Sequence, residues 1–157
     1  MSKLKIGDKA PEFLVEISQD KKVSLGDLKG KYIVLYFYPK DDTSGCTLEA
    51  QGFNSLLPKF EKLSTQIIGV SKDEHKSHCK FQDKYELKIW LISDTDLVLH
   101  TDPRFDTRKE KSMYGRKYMG TMRESFLLDK SGEIIYKWGK VSPANHPQEV
   151  LQYIISL

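Results

Sequence analysis

The chain has 157 residues, of which 39% are hydrophobic and 30% are charged. This length and balance predict one globular domain over residues 1–157 with a substantial apolar core, and they exclude extended disorder. The net charge is only +3, and basic residues are interspersed with acidic ones. The pattern therefore shows no one-sided basic stripe of the kind that binds nucleic acid.

Two further features of the sequence predict where the protein resides. No apolar stretch is long enough to cross a bilayer, and residues 1–13 lack the apolar middle and cleavage site of a secretory signal. The two cysteines, Cys46 and Cys79, are too few for a disulfide scaffold. We therefore expect a cytoplasmic protein without a membrane partner, in which any disulfide is catalytic rather than structural.

The first elements of the chain are predicted to be strands. Residues 13–17 and 22–25 are short and punctuated, which indicates an N-terminal β-hairpin. Residues 32–38, YIVLYFY, form a continuous β-branched and aromatic run that Pro39 ends. Such a run predicts a strand buried on both faces, in the centre of a sheet.

The middle of the chain alternates between helical and extended patterns. From residue 46 to 63 the apolar residues recur at helical spacing, and Pro58 predicts a kink or restart there. Residues 66–71 and 88–93 are predicted strands, and residues 73–87 between them are a predicted helix.

The last third begins with residues 94–121, which are rich in charge and glycine and allow no assignment. Residues 124–129 and 133–138 are predicted strands, and their short connection demands an antiparallel hairpin. A helix is predicted near residues 148–157. This order predicts an α/β fold with a mixed central β-sheet flanked by helices on both faces and an N-terminal β-hairpin extension. It matches a thioredoxin-like fold and does not exclude other mixed α/β folds.

The stretch PKDDTSGC, from Pro39 to Cys46, is the strongest candidate site. A helix is predicted to begin near Cys46, and the unpaired N–H groups at a helix N-terminus stabilise a thiolate. If Thr43 is the N-cap, Cys46 is the third helical residue and the two side chains face the same space. The Thr43 hydroxyl can both donate and accept hydrogen bonds. Pro39 would form one wall of the site and limit water access.

Pro39, Thr43 and Cys46 match the P-x-x-x-T-x-x-C signature of the peroxiredoxins. Nearly the whole chain resembles the bacterioferritin comigratory protein (PrxQ) subfamily. The motifs that carry this resemblance follow one another in the expected order: IGDKAPEF, SLGDLKGKYIVLYFYP, YFYPKDDTSGCTLEA, IIGVSKD, MYGRKYMGTMRESFLLD and GEIIYKW.

The resemblance implies a thioredoxin-like fold, a peroxidatic cysteine at Cys46 and an active-site arginine at Arg123. It also implies an antioxidant enzyme that reduces hydrogen peroxide and organic hydroperoxides, with thioredoxin or a similar thiol as the electron donor. The Cys46 thiolate would be oxidised to a sulfenic acid while Arg123 stabilises the charge on the peroxide oxygens. No metal, flavin or haem is expected, and this subgroup includes many monomers.

The resolving thiol is where this chain departs from many subfamily members. They carry the resolving cysteine five residues after the first, and Gln51 occupies that position here. The resemblance extends to members with the resolving cysteine in the next helix, where Cys79 lies. A disulfide permits a separation of at most ~7 Å between the two Cα atoms, and two cysteines on different helices are not expected to lie that close. Both helices would therefore have to unwind locally. The alternative is a one-cysteine cycle in which an external thiol resolves the sulfenic acid and Cys79 is a spare thiol.

The carboxylates near the candidate site allow competing interpretations. Glu49, one turn after Cys46, either orients Arg123 from behind or is an ordinary exposed helical carboxylate. Arg123 itself would otherwise be a surface partner of a neighbouring acid, Glu124 or Asp129. Asp41 and Asp42 would oppose thiolate formation, so we expect them to point to solvent or pair with a lysine.

Other classes of function are less well supported by the residues. His75, His78 and Cys79 are close in sequence, but they lack convincing further ligands for a metal site. A thioredoxin-type dithiol oxidoreductase needs a C-x-x-C pair, whose first position is Thr43 here. A redox sensor or holdase that uses Cys46 is disfavoured because no appended interaction segment is evident.

Overall fold

The computed structural model describes residues 9–18 and 21–157. The strands of this part of the chain are β1 (Leu14–Ser18), β2 (Lys21–Ser24), β3 (Tyr32–Phe37), β4 (Thr65–Ser71), β5 (Trp90–Ser93), β6 (Arg108–Met113), β7 (Arg116–Thr121), β8 (Glu124–Leu128) and β9 (Ile134–Trp138). The helices are α1 (Ser44–Ser55), α2 (Leu57–Lys62), α3 (His75–Tyr85), α4 (Val98–Thr101) and α5 (His146–Ile155), with a 3-10 helix at Leu25–Leu28. No helix among these described residues has both the length and the apolar character needed to span a membrane. Residues 1–8, part of the segment compared above with a secretory signal, lie outside the described ranges.

The central sheet has the strand order β5-β4-β3-β8-β9. β3 pairs in parallel with β4 and antiparallel with β8, so the mixed sheet predicted from the sequence is confirmed. β1 and β2 form the predicted N-terminal hairpin outside this sheet. In the β3–β8 register Phe37 lies opposite Glu124. The end of β3 therefore lies beside the start of β8. Arg123, the residue before β8, lies next to the loop that leads from β3 to Cys46.

β3 is buried on both faces, as its continuous apolar run predicts. Alternate side chains enter two separate apolar clusters, because successive residues of a strand point to opposite faces. Val34 and Tyr36 pack in the cluster that also receives side chains of α1, α2, α3 and α5. Ile33, Leu35 and Phe37 pack against the N-terminal hairpin, the 3-10 helix and α4. The four longer helices therefore pack on one face of the sheet, and of the helices in the described ranges only α4 and the 3-10 helix pack on the other.

The predicted helix over residues 46–63 is two helices. α1 ends at Ser55, and Leu56, with ψ near 0°, links it to α2. Pro58 lies in the first turn of α2, where its missing N–H has no helical partner to lose. Pro58 is therefore the physical reason that one helix ends and a second begins at this point.

Residues 94–121, unassigned from the sequence, contain α4 and a two-stranded hairpin, β6–β7. The hairpin turns at Tyr114 and Gly115, which both have positive φ. Strands of charged residues without an apolar face give no alternation signal, and Tyr-Gly is a weaker turn signal than Asn-Gly. Most of this hairpin is exposed, which explains why hydrophobic patterning missed it.

We expect Gly69→Ala to destabilise the protein by about 1–3 kcal/mol, because overpacking a rigid core forces side chains off their rotamers. A Cβ atom at Gly69 would lie 2.8 Å from both Leu91 Cδ2 and Tyr36 Cζ, which are buried. The matched control is Gly26→Ala, whose Cβ would meet only Ser24 Oγ at 3.6 Å. Urea unfolding midpoints measure both variants, and equal midpoints would contradict the packing argument.

Candidate active site

Cys46 lies at the N-terminus of α1, where the sequence predicts it. Thr43 is the N-cap, with extended backbone at φ −95° and ψ 157°, so Cys46 is the third residue of the helix. The Thr43 side chain makes no capping hydrogen bond. Its hydroxyl donates instead to the carbonyl oxygen of Lys40 at 2.8 Å. Because the hydroxyl proton is engaged there, the oxygen lone pairs are left to accept a hydrogen bond from a ligand.

Arg123 connects Cys46 to Glu49 across the start of α1. Its Nη2 donates to Cys46 Sγ at 3.3 Å, and its Nη1 donates to Glu49 Oε1 at 2.8 Å. Glu49 is fully buried, so the view of it as an exposed helical carboxylate is wrong. The surface pairing of Arg123 with Glu124 or Asp129 is also wrong, because Glu124 pairs with Lys137 and Asp129 accepts from Ser131.

Burial and the paired charges shift the ionisation of both partners. Burial raises the pKa of Glu49 to about 7, although the charge and hydrogen bond of Arg123 act to lower it. Burial acts to lower the pKa of Arg123, but the charges of Cys46 and Glu49 and its hydrogen bonds to them raise it overall. Arg123 is therefore a permanent cation at the sulfur, while the charge on Glu49 changes near neutral pH.

The space around the guanidinium depends on a glycine. A Cβ atom at Gly45 would lie 3.2 Å from Arg123 Nη2 and 3.5 Å from Pro143 Cγ. A side chain at Gly45 would therefore press on the guanidinium and displace it by a few tenths of an ångström. Cys46 is only 1% exposed and Arg123 is 20% exposed at its side chain, so the cation lies at the more open side of the site. Pro39 is half-buried at the end of β3, before the loop turns toward α1.

Asp41 does not behave as the sequence predicts. It is buried, and its Oδ1 accepts from the Tyr38 hydroxyl at 2.6 Å. Its Oδ2 accepts from Ser77 Oγ at 2.8 Å and from His78 Nδ1 at 2.7 Å. The other ring nitrogen of His78, Nε2, lies 3.0 Å from the carbonyl oxygen of Ile92. Both ring nitrogens of His78 therefore have a hydrogen-bond partner, and Asp41 and His78 form a buried hydrogen-bonded pair.

Asp42 follows the expectation of a lysine partner. Its Oδ2 accepts from Lys84 Nζ at 2.7 Å, and its Oδ1 accepts from the Tyr85 hydroxyl at 2.6 Å. These two hydrogen bonds lower the pKa of Asp42. The neighbouring acids of the Cys46 loop are therefore both satisfied by α3, one at each end of that helix.

Cys79 is half-buried on α3, and both cysteines are free thiols. Its Sγ lies 3.4 Å from His75 Nε2, one helical turn away. His78 turns toward Asp41 rather than toward this pair. In the described part of the chain, no three His, Cys, Asp or Glu side chains are arranged to hold a metal ion.

Lys111 of β6 is a further cation near the site that sequence reasoning missed. Its Nζ donates to the carbonyl oxygen of Thr121 at 2.7 Å. Burial and the charge of Arg123 lower the pKa of Lys111, and Cys46 acts in the opposite direction. A lysine in a charge-rich stretch with no assigned structure carries no sequence signal that separates it from its neighbours.

The fold, with a cysteine held beside an arginine at a helix N-terminus, is the arrangement expected of a class of thiol-dependent enzymes. Comparison with known proteins identifies the family. The AhpC/TSA family profile matches residues 6–137. Peroxiredoxin Bcp of Bacillus subtilis is 44% identical over 149 residues, which make up 95% of this chain and 94% of that protein. The chain belongs to the AhpC/TSA family and is a peroxiredoxin, a thiol peroxidase that acts on peroxides with thiol reductants.

Solved structures agree with this assignment. Xanthomonas campestris peroxiredoxin Q superposes with a TM-score of 0.84 at 39% identity, covering 99% of this chain and 97% of that one. A cysteine-to-serine mutant of Xylella fastidiosa PrxQ superposes with a TM-score of 0.90 at 36% identity, covering 99% and 98%. A structural study of the X. campestris bacterioferritin comigratory protein addresses its alkyl peroxide reduction activity. The resemblance and the thioredoxin-like fold predicted from the sequence are thereby confirmed.

Proposed function

We propose that Cys46 is the peroxidatic residue and that it reduces hydrogen peroxide and organic hydroperoxides with Thr43, Arg123 and Pro39 around it. The observation that carries this proposal is the 3.3 Å contact between Arg123 Nη2 and Cys46 Sγ at the N-terminus of a helix. A cation and helix-end N–H groups both favour the thiolate, which is the nucleophile. The alkyl peroxide activity of the X. campestris relative supports organic hydroperoxides as substrates.

The reaction begins when the peroxide enters beside the sulfur and takes over hydrogen bonds of the guanidinium. Thr43 Oγ1 accepts from the peroxide O–H, because the Thr43 hydroxyl donates its own proton to the carbonyl oxygen of Lys40. The thiolate attacks one oxygen, the O–O bond breaks, and Cys46 becomes a sulfenic acid while the other oxygen leaves as water or an alcohol. Arg123 stabilises the negative charge that develops on the oxygens. Glu49 holds the guanidinium in place through Nη1 and acts as a positioning residue.

The second half of the cycle uses the other thiol. Cys79 attacks the sulfenic sulfur, a disulfide forms and water leaves. Thioredoxin or a similar thiol then reduces this disulfide by two exchange steps and regenerates both cysteines. We further propose that residues 1–157 form one domain that acts as a monomer in the cytoplasm and needs no metal or organic cofactor.

The role of Cys79 is tested by treating reduced wild type and Cys79→Ser with one equivalent of hydrogen peroxide. Peptide mass mapping under non-reducing conditions is expected to find a Cys46–Cys79 linkage within one wild-type chain and a persistent sulfenic acid at Cys46 in the variant. Steady-state turnover with thioredoxin is expected to fall at least about tenfold in Cys79→Ser, because an external thiol must then resolve the sulfenic acid.

Two results would contradict parts of this proposal. Wild type without the Cys46–Cys79 linkage, but with full thioredoxin turnover, would establish the one-cysteine cycle. Peroxide consumption that survives in Cys46→Ser would remove Cys46 from the chemistry altogether.

A further inference from the structure

The loop that delivers Cys46 is fastened to the helix that carries Cys79. Asp41 bonds to Ser77 and His78, and Asp42 bonds to Lys84 and Tyr85. The two attachment points therefore lie on either side of Cys79 along α3. We call this set of contacts the aspartate clamp.

The backbone explains how two adjacent residues reach both ends of one helix. Asp42 has a φ of 57°, in the left-handed region that aspartate tolerates better than most residues. This conformation turns the chain between the two carboxylates and sends them to different points of α3. The attachments span residues 77–85, which is about 12 Å of helix at the usual rise per residue.

The Asp41 attachment is also tied to the sheet. The backbone N–H of Asp41 donates to Asp73 Oδ2 at 2.8 Å, and Ser71 Oγ at the end of β4 donates to the same oxygen at 2.8 Å. The His78 ring reaches the carbonyl oxygen of Ile92 in β5. Because Asp41 and His78 are both buried, separating them leaves buried polar groups without hydrogen-bond partners and is strongly opposed.

This arrangement bears on the proposed cycle, in which the helices that carry Cys46 and Cys79 must unwind locally before the two sulfurs can bond. Unwinding α3 around Cys79 breaks the contacts of residues on either side of it, and these are the clamp contacts. While the clamp is closed, the sulfenic acid is open to a second peroxide. That second reaction transfers one oxygen to sulfur, forming a sulfinic acid and releasing water or an alcohol.

We propose that Asp41 and Asp42, through their partners on α3, set the rate at which Cys79 resolves oxidised Cys46, and so the competition between the disulfide and the sulfinic acid. The inference rests on the proposed resolving role of Cys79. The four partner residues on α3 are positioning residues, since none of them touches the reacting sulfur.

The test measures disulfide formation by rapid acid quench and mass spectrometry after one equivalent of hydrogen peroxide. The variants are Tyr85→Phe and Lys84→Met, which leave the Cys46 loop unchanged, and Asp42→Asn, which tolerates the same backbone conformation. Each is expected to form the Cys46–Cys79 disulfide about threefold to tenfold faster than wild type, the factor that one net hydrogen bond is worth. The initial oxidation of Cys46 is expected to stay within about twofold in Tyr85→Phe, because that change alters no charge.

A second readout separates a clamp from general stability. In excess hydrogen peroxide, the ratio of sulfinic acid to disulfide formed in the first turnover is expected to fall in the three variants by the same factor by which the rate of disulfide formation rises. The matched control is Asp83→Asn, which makes the same charge change on an exposed residue of α3 next to Lys84. Asp41→Asn, checked for folding by circular dichroism, is expected to give the largest acceleration because it weakens the buried attachment.

The outcomes distinguish this inference from the proposal on which it rests. Unchanged disulfide rates in all the clamp variants, or equal acceleration in Asp83→Asn, would overturn the clamp while leaving Cys79 as the resolving residue. If wild type forms no Cys46–Cys79 disulfide, the resolving role is wrong and the clamp loses its function with it.

Discussion

Replacing Arg123 by methionine is expected to slow the reaction of Cys46 with hydrogen peroxide by about 100- to 1000-fold, the usual effect of removing one preorganised charge-stabilising donor. The side chain donates to Cys46 Sγ and to Glu49 Oε1. Methionine has a similar length but provides no charge and no donors. The thiolate would lose its cation, and the departing oxygen would lose stabilisation in the transition state.

The reaction is measured by stopped-flow under single-turnover conditions, with the reduced enzyme and a range of peroxide concentrations. Arg123→Lys is expected to recover part of the rate, because a lysine keeps the charge but cannot bond to both Cys46 and Glu49 in one plane. Arg116→Met is the matched control, since Arg116 is exposed on β7. A rate within about threefold of wild type in Arg123→Met would be incompatible with the electrostatic role assigned here.

The second large effect concerns stability rather than rate. The free energy of unfolding of the reduced protein is expected to fall by on the order of 3 kcal/mol between about pH 5 and pH 8 through Glu49 alone. Burial raises the pKa of Glu49 from 4.5 to about 7 in the folded state. Between these values the folded protein binds more protons than the unfolded chain. The stability that Glu49 contributes to the folded protein is therefore complete below pH 4.5 and is lost as the pH rises through about 7.

Glu49→Gln removes this titration while its amide oxygen still accepts from Arg123 Nη1. Urea unfolding at several pH values, in the presence of a reductant, is therefore expected to show a flatter stability profile for the variant than for wild type. Glu61→Gln, an exposed change on α2, is expected to leave the slope unchanged. Parallel profiles for wild type and Glu49→Gln would mean that Glu49 does not carry a raised pKa in the folded state.

The ionisation of Glu49 also bears on the chemistry. Below its pKa the neutral carboxyl leaves the guanidinium charge available to the sulfur. Above its pKa the carboxylate shares that charge with Cys46 Sγ. The buried acid thus links the pH of the surroundings to the field at the sulfur, and Glu49→Gln separates this influence from simple positioning of Arg123.

Local features of the chain were predictable because they depend on neighbouring residues. The buried strand β3, the polar turn after it and the helix that starts before Cys46 are readable from one continuous stretch, since strand, turn and cap signals are local. The same stretch carries the signature on which the family resemblance depends. The short connection between β8 and β9 likewise determines their antiparallel pairing.

The β6–β7 hairpin and the clamp were not predictable for a different physical reason. β6 and β7 pair through their backbones, and backbone hydrogen bonds leave no trace in a pattern of charged side chains. Asp41 was expected to point to solvent or to pair with a lysine, because its charge opposes thiolate formation at Cys46. Its compensation by Ser77 and His78 comes from α3, 36 and 37 residues away.

The sequence by itself determined the candidate cysteine, the start of its helix, the order of strands and helices outside residues 94–121, and the family. Only the tertiary structure decided that Arg123, 77 residues from Cys46, touches its sulfur, that Glu49 is buried behind that arginine, and that two aspartates fasten the Cys79 helix. The difference depends on how far apart in the chain the interacting residues are. A local pattern encodes what one segment does in water, whereas burial and charge compensation exist only after sheet register has brought distant segments together.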